Sequence, residues 1–191
     1  MRLFVALEIP SDVRDNLAAF FNDMKNLPDK SAQKGVRWVR PESLHVTLKF
    51  IGEVEEVKLA GIHKALLDMR VDGPSDVHLR GLGFFPDQRR PAVLWTAVES
   101  TESLPALTRE IDRTLATQDI AKENRVFVPH LTLARFSPPG IHPNLLATVQ
   151  KNILRDFGSF EAREFLLIES TLKSSGAEYS SVQTYRFGAE S

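Results

Sequence analysis

The chain has 191 residues, no cysteine and a formal net charge of −1. The absence of cysteine excludes disulfide bridges, thiolate nucleophiles and cysteine-ligated zinc sites. The length suits one domain with a sizeable core, and the low net charge means that any contact with nucleic acid must come from a local basic patch. We therefore expect residues 1–191 to form a single domain, either undivided or made of two lobes.

The first half of the chain is predicted to mix strands with amphipathic helices. Apolar residues dominate positions 2–9, as in a buried strand, and Pro10 ends it before a helix that begins at Ser11 or Asp12. The same periodicities predict strands over 36–39 and 44–51, a helix over 55–69, a strand over 77–82, a loop over 83–91 and a strand over 92–98.

The second half has a similar plan. The pattern predicts a helix near Pro105, a strand over 125–135, a helix from Pro143 and final strands over 164–172 and 180–187. About eight strands and four helices result, and they do not alternate singly. This order favours an α+β fold with antiparallel sheets over a doubly wound parallel sheet.

One short motif occurs twice in the sequence. Residues 44–50 read LHVTLKF, and residues 129–136 read PHLTLARF. Each copy lies on a predicted strand that is followed by a helix. Two copies in two similar halves indicate two lobes related by a pseudo-two-fold axis.

The spacing within each motif places its polar residues together. Because strand side chains alternate between faces, His45 and Thr47 share one face, and His130 and Thr132 share one face of the other strand. The apolar residues between and beyond them are expected on the opposite, buried faces: Val46, Leu48, Phe50, Leu131 and Leu133. If the lobes face each other, two imidazoles and two hydroxyls converge on one cleft.

Such a set suits the hydrolysis of a phosphate diester. A neutral imidazole can take a proton from water while a protonated one gives a proton to the departing oxygen, and each step contributes about 10²–10⁴-fold. A pKa near 6.5 makes both forms available at neutral pH. The threonine hydroxyls can donate hydrogen bonds to the phosphoryl oxygens, which contributes on the order of 10²–10³-fold.

Two other interpretations of the motifs remain open. One copy alone could be a solvated strand face, because threonine is a good strand former. Two histidines could also bind zinc, but a third ligand would be needed, and no HxH, HExxH or paired-carboxylate pattern lies nearby. The recurrence favours function over a solvated face, and we expect chemistry without a metal or other cofactor.

At these motifs the sequence resembles the two-histidine phosphoesterase superfamily, and within it the LigT-like RNA 2′,3′-cyclic phosphodiesterases. The resemblance runs over nearly the whole chain and includes segments 2–7, 44–52, 81–86, 90–95 and 129–135. It implies a bilobal α+β fold with two mainly antiparallel sheets around a central cleft and helices packed outside.

The resemblance also implies hydrolysis of RNA 2′,3′-cyclic phosphate to a 2′-phosphomonoester without metal. Water attacks phosphorus and the 3′ oxygen leaves, with His45 as the proton donor and His130 as the group that activates water. The residues alone do not assign these roles, because the two motifs are nearly symmetric. A 2′–5′ RNA ligase or 2′–5′ phosphodiesterase at the same site stays open, as does a non-catalytic module that binds RNA ends.

Four further residues are candidates for substrate contact. Resemblance makes Arg135 a phosphate ligand, although strict alternation would place it opposite His130 unless a bulge intervenes. Strand alternation would place Lys49 on the same face as His45, or Lys49 could be a solvated lysine at the rim of the cleft. Phe84 and Arg90 lie in a loop whose aromatic and basic residues suit single-stranded RNA, but Phe84 could equally fill the core.

Two arginines just before the first motif, Arg37 and Arg40, could extend a basic rim or could simply be solvated. The expected partner is an RNA with a 2′,3′-cyclic phosphate end, of which tRNA halves are one kind, or a small cyclic nucleotide. No apolar run approaches the roughly 20 residues that span a bilayer. We therefore expect no membrane contact. The absence of cysteine fits a cytoplasmic location, and we expect a monomer.

Overall fold

Nine strands and four α-helices are present in the computed structural model, which describes residues 1–71, 73–124, 126–173 and 176–188. The strands are β1 (Arg2–Glu8), β2 (Val36–Trp38), β3 (His45–Glu53), β4 (Ser75–Phe85), β5 (Val93–Ser100), β6 (His130–Phe136), β7 (Asp156–Ala162), β8 (Glu164–Lys173) and β9 (Gly176–Arg186). The helices are α1 (Ser11–Lys25), α2 (Leu59–Leu67), α3 (Ser103–Ala116) and α4 (Pro143–Lys151).

The strands form two antiparallel sheets. The first sheet has the order β3-β1-β8-β9, and the second has the order β2-β6-β5-β4-β7. Each sheet takes strands from both halves of the chain, since β8 and β9 return to pair beside β1, while β2 pairs with β6. The predicted α+β class with antiparallel sheets is confirmed.

The pseudo-two-fold relation is visible in the strand pairing. In the first sheet β1 leads into α1 and pairs with the first motif strand, β3; in the second sheet β5 leads into α3 and pairs with the second motif strand, β6. The registers correspond residue by residue, because Glu8 lies opposite His45 as Ala97 lies opposite His130. The two motifs thus occupy equivalent places in the two sheets.

Helix α1 shows how the sequence produces the core. Pro10 is extended with φ −67° and ψ 162°, and Asp12 in the first turn interacts favourably with the positive end of the helix dipole. The apolar residues recur at helical spacing, and all of them are buried: Val13, Leu17, Phe20, Phe21 and Met24. Burying side chains of this size contributes about 1.5–3 kcal/mol each.

Several elements differ from the sequence expectations. Strand β7 was not predicted, because Gly158 and three polar residues give the segment DFGSFEA little strand character. Strand β4 continues through residues 83–85, which were expected to be a loop. Strand β6 begins at His130, and the expected start at residue 125 lies outside the described residues. Within the described ranges, no helix is long and apolar enough to span a bilayer.

Candidate active site

A cleft of about 380 Å³ lies between the two sheets. Its walls combine the first residues of β1 and β3 with residues of β8 and β9 on one side, and β5, β6 and the end of β4 on the other. His45, Thr47, His130 and Thr132 all line it. The structure therefore brings together the four polar residues that the repeated motif predicts to converge.

Both histidine rings are held by the backbone in the same way. The Nδ1 atom of His45 lies 2.8 Å from the carbonyl oxygen of Ser43, and the Nδ1 atom of His130 lies 2.8 Å from the carbonyl oxygen of Val128. A carbonyl oxygen can only accept, so each Nδ1 carries the proton and donates it. In both residues Nε2 is the nitrogen left free for a ligand in the cleft.

The hydroxyl groups of Thr47 and Thr132 are available to donate hydrogen bonds to a ligand. Thr47 lies two residues after His45 on β3, and Thr132 lies two residues after His130 on β6. Among the described residues, neither hydroxyl has a hydrogen-bond partner, and both side chains are only partly buried. Two hydroxyl donors therefore line the same cleft as the two histidines.

A bulge follows the threonine in each motif strand. On β3 the pairing passes from Thr47 to Lys49 and leaves Leu48 as the extra residue. On β6 it passes from Thr132 to Ala134 and leaves Leu133 as the extra residue. Two consecutive residues are buried at each bulge, and alternation then resumes with the opposite parity.

The bulges bring the fifth residue after each histidine into the cleft. Arg135 lines the cleft, as expected if a bulge interrupts the strand, and Phe50 occupies the equivalent place on β3. The expectation that Phe50 is buried is wrong, since its side chain is 60% exposed. The cleft thus contains one guanidinium group and one accessible aromatic ring at corresponding positions.

The expectation that Lys49 shares the face of His45 is wrong for the same reason. The bulge turns Lys49 to the opposite face of β3, where it is only 6% exposed. Its Nζ lies 2.5 Å from Oδ1 of Asp112 on α3 and 2.7 Å from the carbonyl oxygen of Ala121. Lys49 ties the first motif strand to α3 and does not reach the cleft.

The two candidates from the loop predicted over 83–91 also lie elsewhere. Phe84 packs against the core, and its neighbour Phe85 lines the cleft instead. Arg90 is exposed in the connection between β4 and β5 and does not belong to the cleft wall. The end of β4 therefore does contribute an aromatic ring to the cleft, but through Phe85.

Aromatic rings surround the second histidine. The Phe85 ring lies edge-to-face with His130 at 5.0 Å and stacks on Trp95, also at 5.0 Å, while Trp95 lies 6.3 Å from His130. Gly83 makes this possible, because a Cβ at Gly83 would overlap the Trp95 ring. A glycine inside a strand indicates that another group packs closely against the backbone, and here that group is the Trp95 ring.

Aromatic rings from other strands lie beside the first histidine, His45. The ring of Phe4 on β1 lies 4.8 Å from that of His45, and the ring of Tyr179 on β9 lies 5.0 Å from it. Arg2 lines the same side of the cleft. Sequence reasoning missed these residues because nothing local in the chain shows that β1 and β9 meet at this site.

The pKa of His45 is lowered from its usual value. Burial of the ring is the main cause, and the positive charge of Arg135 acts in the same direction, whereas the hydrogen bond to the Ser43 carbonyl opposes them. The neutral form of His45 is therefore favoured. A bound anion beside Arg135 would offset its charge and raise the pKa of His45 again.

No metal centre is evident in the part of the chain that the structure describes, because no three histidine, aspartate or glutamate side chains converge there. Metal-independent chemistry stays a prediction.

The Lys49–Asp112 pair is expected to matter for stability. In a Lys49→Met variant, the Asp112 side chain loses its cationic partner in a site where it is only 20% exposed, so the free energy of unfolding should fall by about 3 kcal/mol. Replacing both residues, in Lys49→Met/Asp112→Leu, should restore part of this loss. Urea denaturation of the three proteins measures the difference, and equal stability of the single variant and the parent would contradict the assignment.

Comparison with known proteins places this geometry in a family. The family described as LigT like Phosphoesterase matches residues 7–95. A protein of Methanocaldococcus jannaschii named RNA 2′,3′-cyclic phosphodiesterase is 34% identical over 185 residues, covering 97% of this chain and 100% of the relative. A protein of the same name from Methanothermobacter thermautotrophicus is 32% identical and covers 97% of this chain and 98% of the relative.

Solved structures agree with this result. A crystal structure of a Thermus thermophilus protein has a TM-score of 0.80 and 28% identity, and covers 100% of both chains. The crystal structure of E. coli LigT complexed with 3′-AMP has a TM-score of 0.75 over 98% of both chains, and at 22% identity it shows likeness of fold alone. The chain belongs to the LigT-like phosphoesterase family.

Proposed function

We propose that this protein hydrolyses the 2′,3′-cyclic phosphate at the end of an RNA chain and leaves a 2′-phosphomonoester. One observation carries the proposal: two imidazoles, each anchored through Nδ1 to a backbone carbonyl, line a single cleft with their Nε2 atoms free. The names of the relatives support the choice of substrate, since both proteins described above are called RNA 2′,3′-cyclic phosphodiesterases.

In the proposed reaction the two histidines act on opposite sides of one phosphorus. Neutral His130 accepts a proton from water at Nε2, and the water oxygen forms a bond to phosphorus. The bond to the 3′ oxygen breaks, and that oxygen takes a proton from Nε2 of protonated His45. Family resemblance gives this allocation of roles. Exchange with solvent then returns both rings to their starting states, and each proton transfer contributes about 10²–10⁴-fold.

The remaining cleft residues suit the charge on the phosphate. Hydroxyl groups of Thr47 and Thr132 can donate to the non-bridging oxygens, and Arg135 can form a charge-assisted pair with them. Burial is the main cause of the lowered pKa of His45, and the phosphate offsets the smaller contribution of the Arg135 charge. Binding of the anionic substrate thereby favours the protonated His45 that an acid catalyst requires.

Exposed aromatic rings in the cleft suit a nucleic-acid base. Phe50 is 60% exposed and Tyr179 is 40% exposed, and both line the cleft. Stacking of a base on an aromatic ring is worth about 1–3 kcal/mol in single-stranded complexes. We assign base contact to these two residues in place of Phe84.

Product analysis tests the proposed activity. With an oligonucleotide that ends in a 2′,3′-cyclic phosphate, we expect a 2′-phosphate product, and His45→Ala or His130→Ala should lower kcat by about 10²–10⁴-fold. His78→Gln is the matched control, because His78 lies outside the cleft and bonds to Asp156 on the surface. Full turnover in both alanine variants would remove the catalytic roles, and a 3′-phosphate product would contradict the regiochemistry.

A change of leaving group tests the allocation of roles. A substrate with sulfur in place of the departing 3′ oxygen releases a thiolate, which needs no proton because thiols have a pKa of about 8.5. The loss in His45→Ala should then shrink by at least roughly tenfold relative to the oxygen substrate, since a missing general acid is no longer needed. The loss in His130→Ala should persist. The opposite pattern would exchange the two roles.

A further inference from the structure

A second arginine lies directly beside Arg135 in the sheet. Strands β2 and β6 pair with Arg37 opposite Arg135, between the pairs Val36–Phe136 and Trp38–Ala134. Residues directly opposite in an antiparallel pair project from the same face, with Cβ atoms about 4.5–5.5 Å apart. Arg37 and Arg135 therefore form one cross-strand pair of like charges.

The neighbours of Arg37 identify the face on which it lies. Trp38 points to the core, where its Nε1 donates to Oε1 of Gln33 at 2.9 Å and its ring lies 5.4 Å from that of Phe21. Alternation places Arg37 and Val39 on the other face, and Val39 lines the cleft. Because β2 is the outermost strand of the second sheet, Arg37 continues the cleft face beyond Arg135 toward the sheet edge.

The charges of this arginine pair are not compensated by any residue that the structure describes. Like charges directly opposite in a sheet are destabilising, yet neither Arg37 nor Arg135 makes an ion pair or a side-chain hydrogen bond with any described residue. Arg40, in the same segment, does have a partner, because its Nε lies 3.7 Å from Glu42. Arg135 lines the cleft, and Arg37 lies beside it on the neighbouring strand, so the pair favours an anion with two charges near each other.

We propose that Arg37 binds the phosphate that joins the terminal nucleotide to the one before it. This inference rests on the proposed function, in which Arg135 contacts the terminal cyclic phosphate. Neighbouring strands lie about 4.7–4.9 Å apart, so two long side chains on β6 and β2 can contact successive phosphates of one chain. The preferred substrate is then an RNA chain end that leaves the cleft over β2, and a single cyclic nucleotide lacks one of the two contacts.

Another arginine that lines the cleft defines the competing path. Arg2 begins β1 in the first sheet, opposite Glu53 of β3, and lines the cleft on the side of Tyr179. A chain that left the cleft over the first sheet would meet Arg2 in place of Arg37. The face that Arg37 shares with Arg135 favours the path over β2.

Two substrates that differ by one phosphate and one nucleoside test the proposal. For Arg37→Gln, kcat/KM on a dinucleotide ending in a 2′,3′-cyclic phosphate should fall roughly tenfold, while kcat/KM on the nucleoside 2′,3′-cyclic phosphate stays unchanged. Arg40→Gln is the matched control and should leave both values unchanged. On the dinucleotide, the slope of log kcat/KM against log salt concentration should become shallower by about 0.7 in Arg37→Gln.

Three results would overturn the proposal. The first is an equal fall on both substrates in Arg37→Gln, the second is no fall on either, and the third is a selective fall on the dinucleotide in Arg2→Gln but not in Arg37→Gln.

A binding measurement separates this proposal from the proposed function. The probes are the mono- and dinucleotides that end in a 2′-phosphate, and Arg37→Gln should weaken binding of the dinucleotide alone by roughly tenfold. Absence of hydrolysis together with this selective loss of binding would refute the hydrolase and support the Arg37 contact. Hydrolysis and binding that are both independent of Arg37 would refute only the contact.

Discussion

One extra residue in each motif strand determines which side chains reach the cleft. Up to the threonine, both strands alternate regularly and present a histidine and a threonine to the cleft. The bulges at Leu48 and Leu133 then bury two residues in succession and reverse the parity. Without the bulge on β6, Arg135 would point away from the site, and its guanidinium group would be lost from the cleft.

The two bulges have different consequences in the two sheets because the residues that follow them differ. On β6 the second buried residue of the bulge is Ala134, and the next residue, Arg135, places a cation in the cleft. On β3 the second buried residue of the bulge is Lys49, whose charge is compensated by Asp112 behind the sheet. The next residue, Phe50, lines the cleft. A symmetric framework thus carries different residues at one pair of equivalent positions, with a cation at Arg135 and an aromatic ring at Phe50.

Much of this arrangement can be predicted from the sequence, and the rest depends on pairing between distant strands. The repeated motif identifies His45 and His130 because its residues are adjacent in the chain and its spacing matches the alternation of a strand. The face on which Lys49 or Arg135 lies depends on the bulge in its strand. Each bulge is visible only in the register of that strand with β1 or β5. Tyr179 comes from the last strand, so its place beside the first motif follows from the order of the sheet and from nothing local.

The proposed catalysis depends on two imidazoles that act together on one phosphorus, one as an acid and one as a base. The most direct measurement is the pH dependence of kcat/KM for an RNA end with a 2′,3′-cyclic phosphate, in the parent protein and in each histidine variant. We expect a bell-shaped profile in the parent and the loss of one limb in each variant, because each limb reports one ring. A profile that stays flat between about pH 5 and 9, with chemistry rate-limiting, would contradict catalysis by the two histidines.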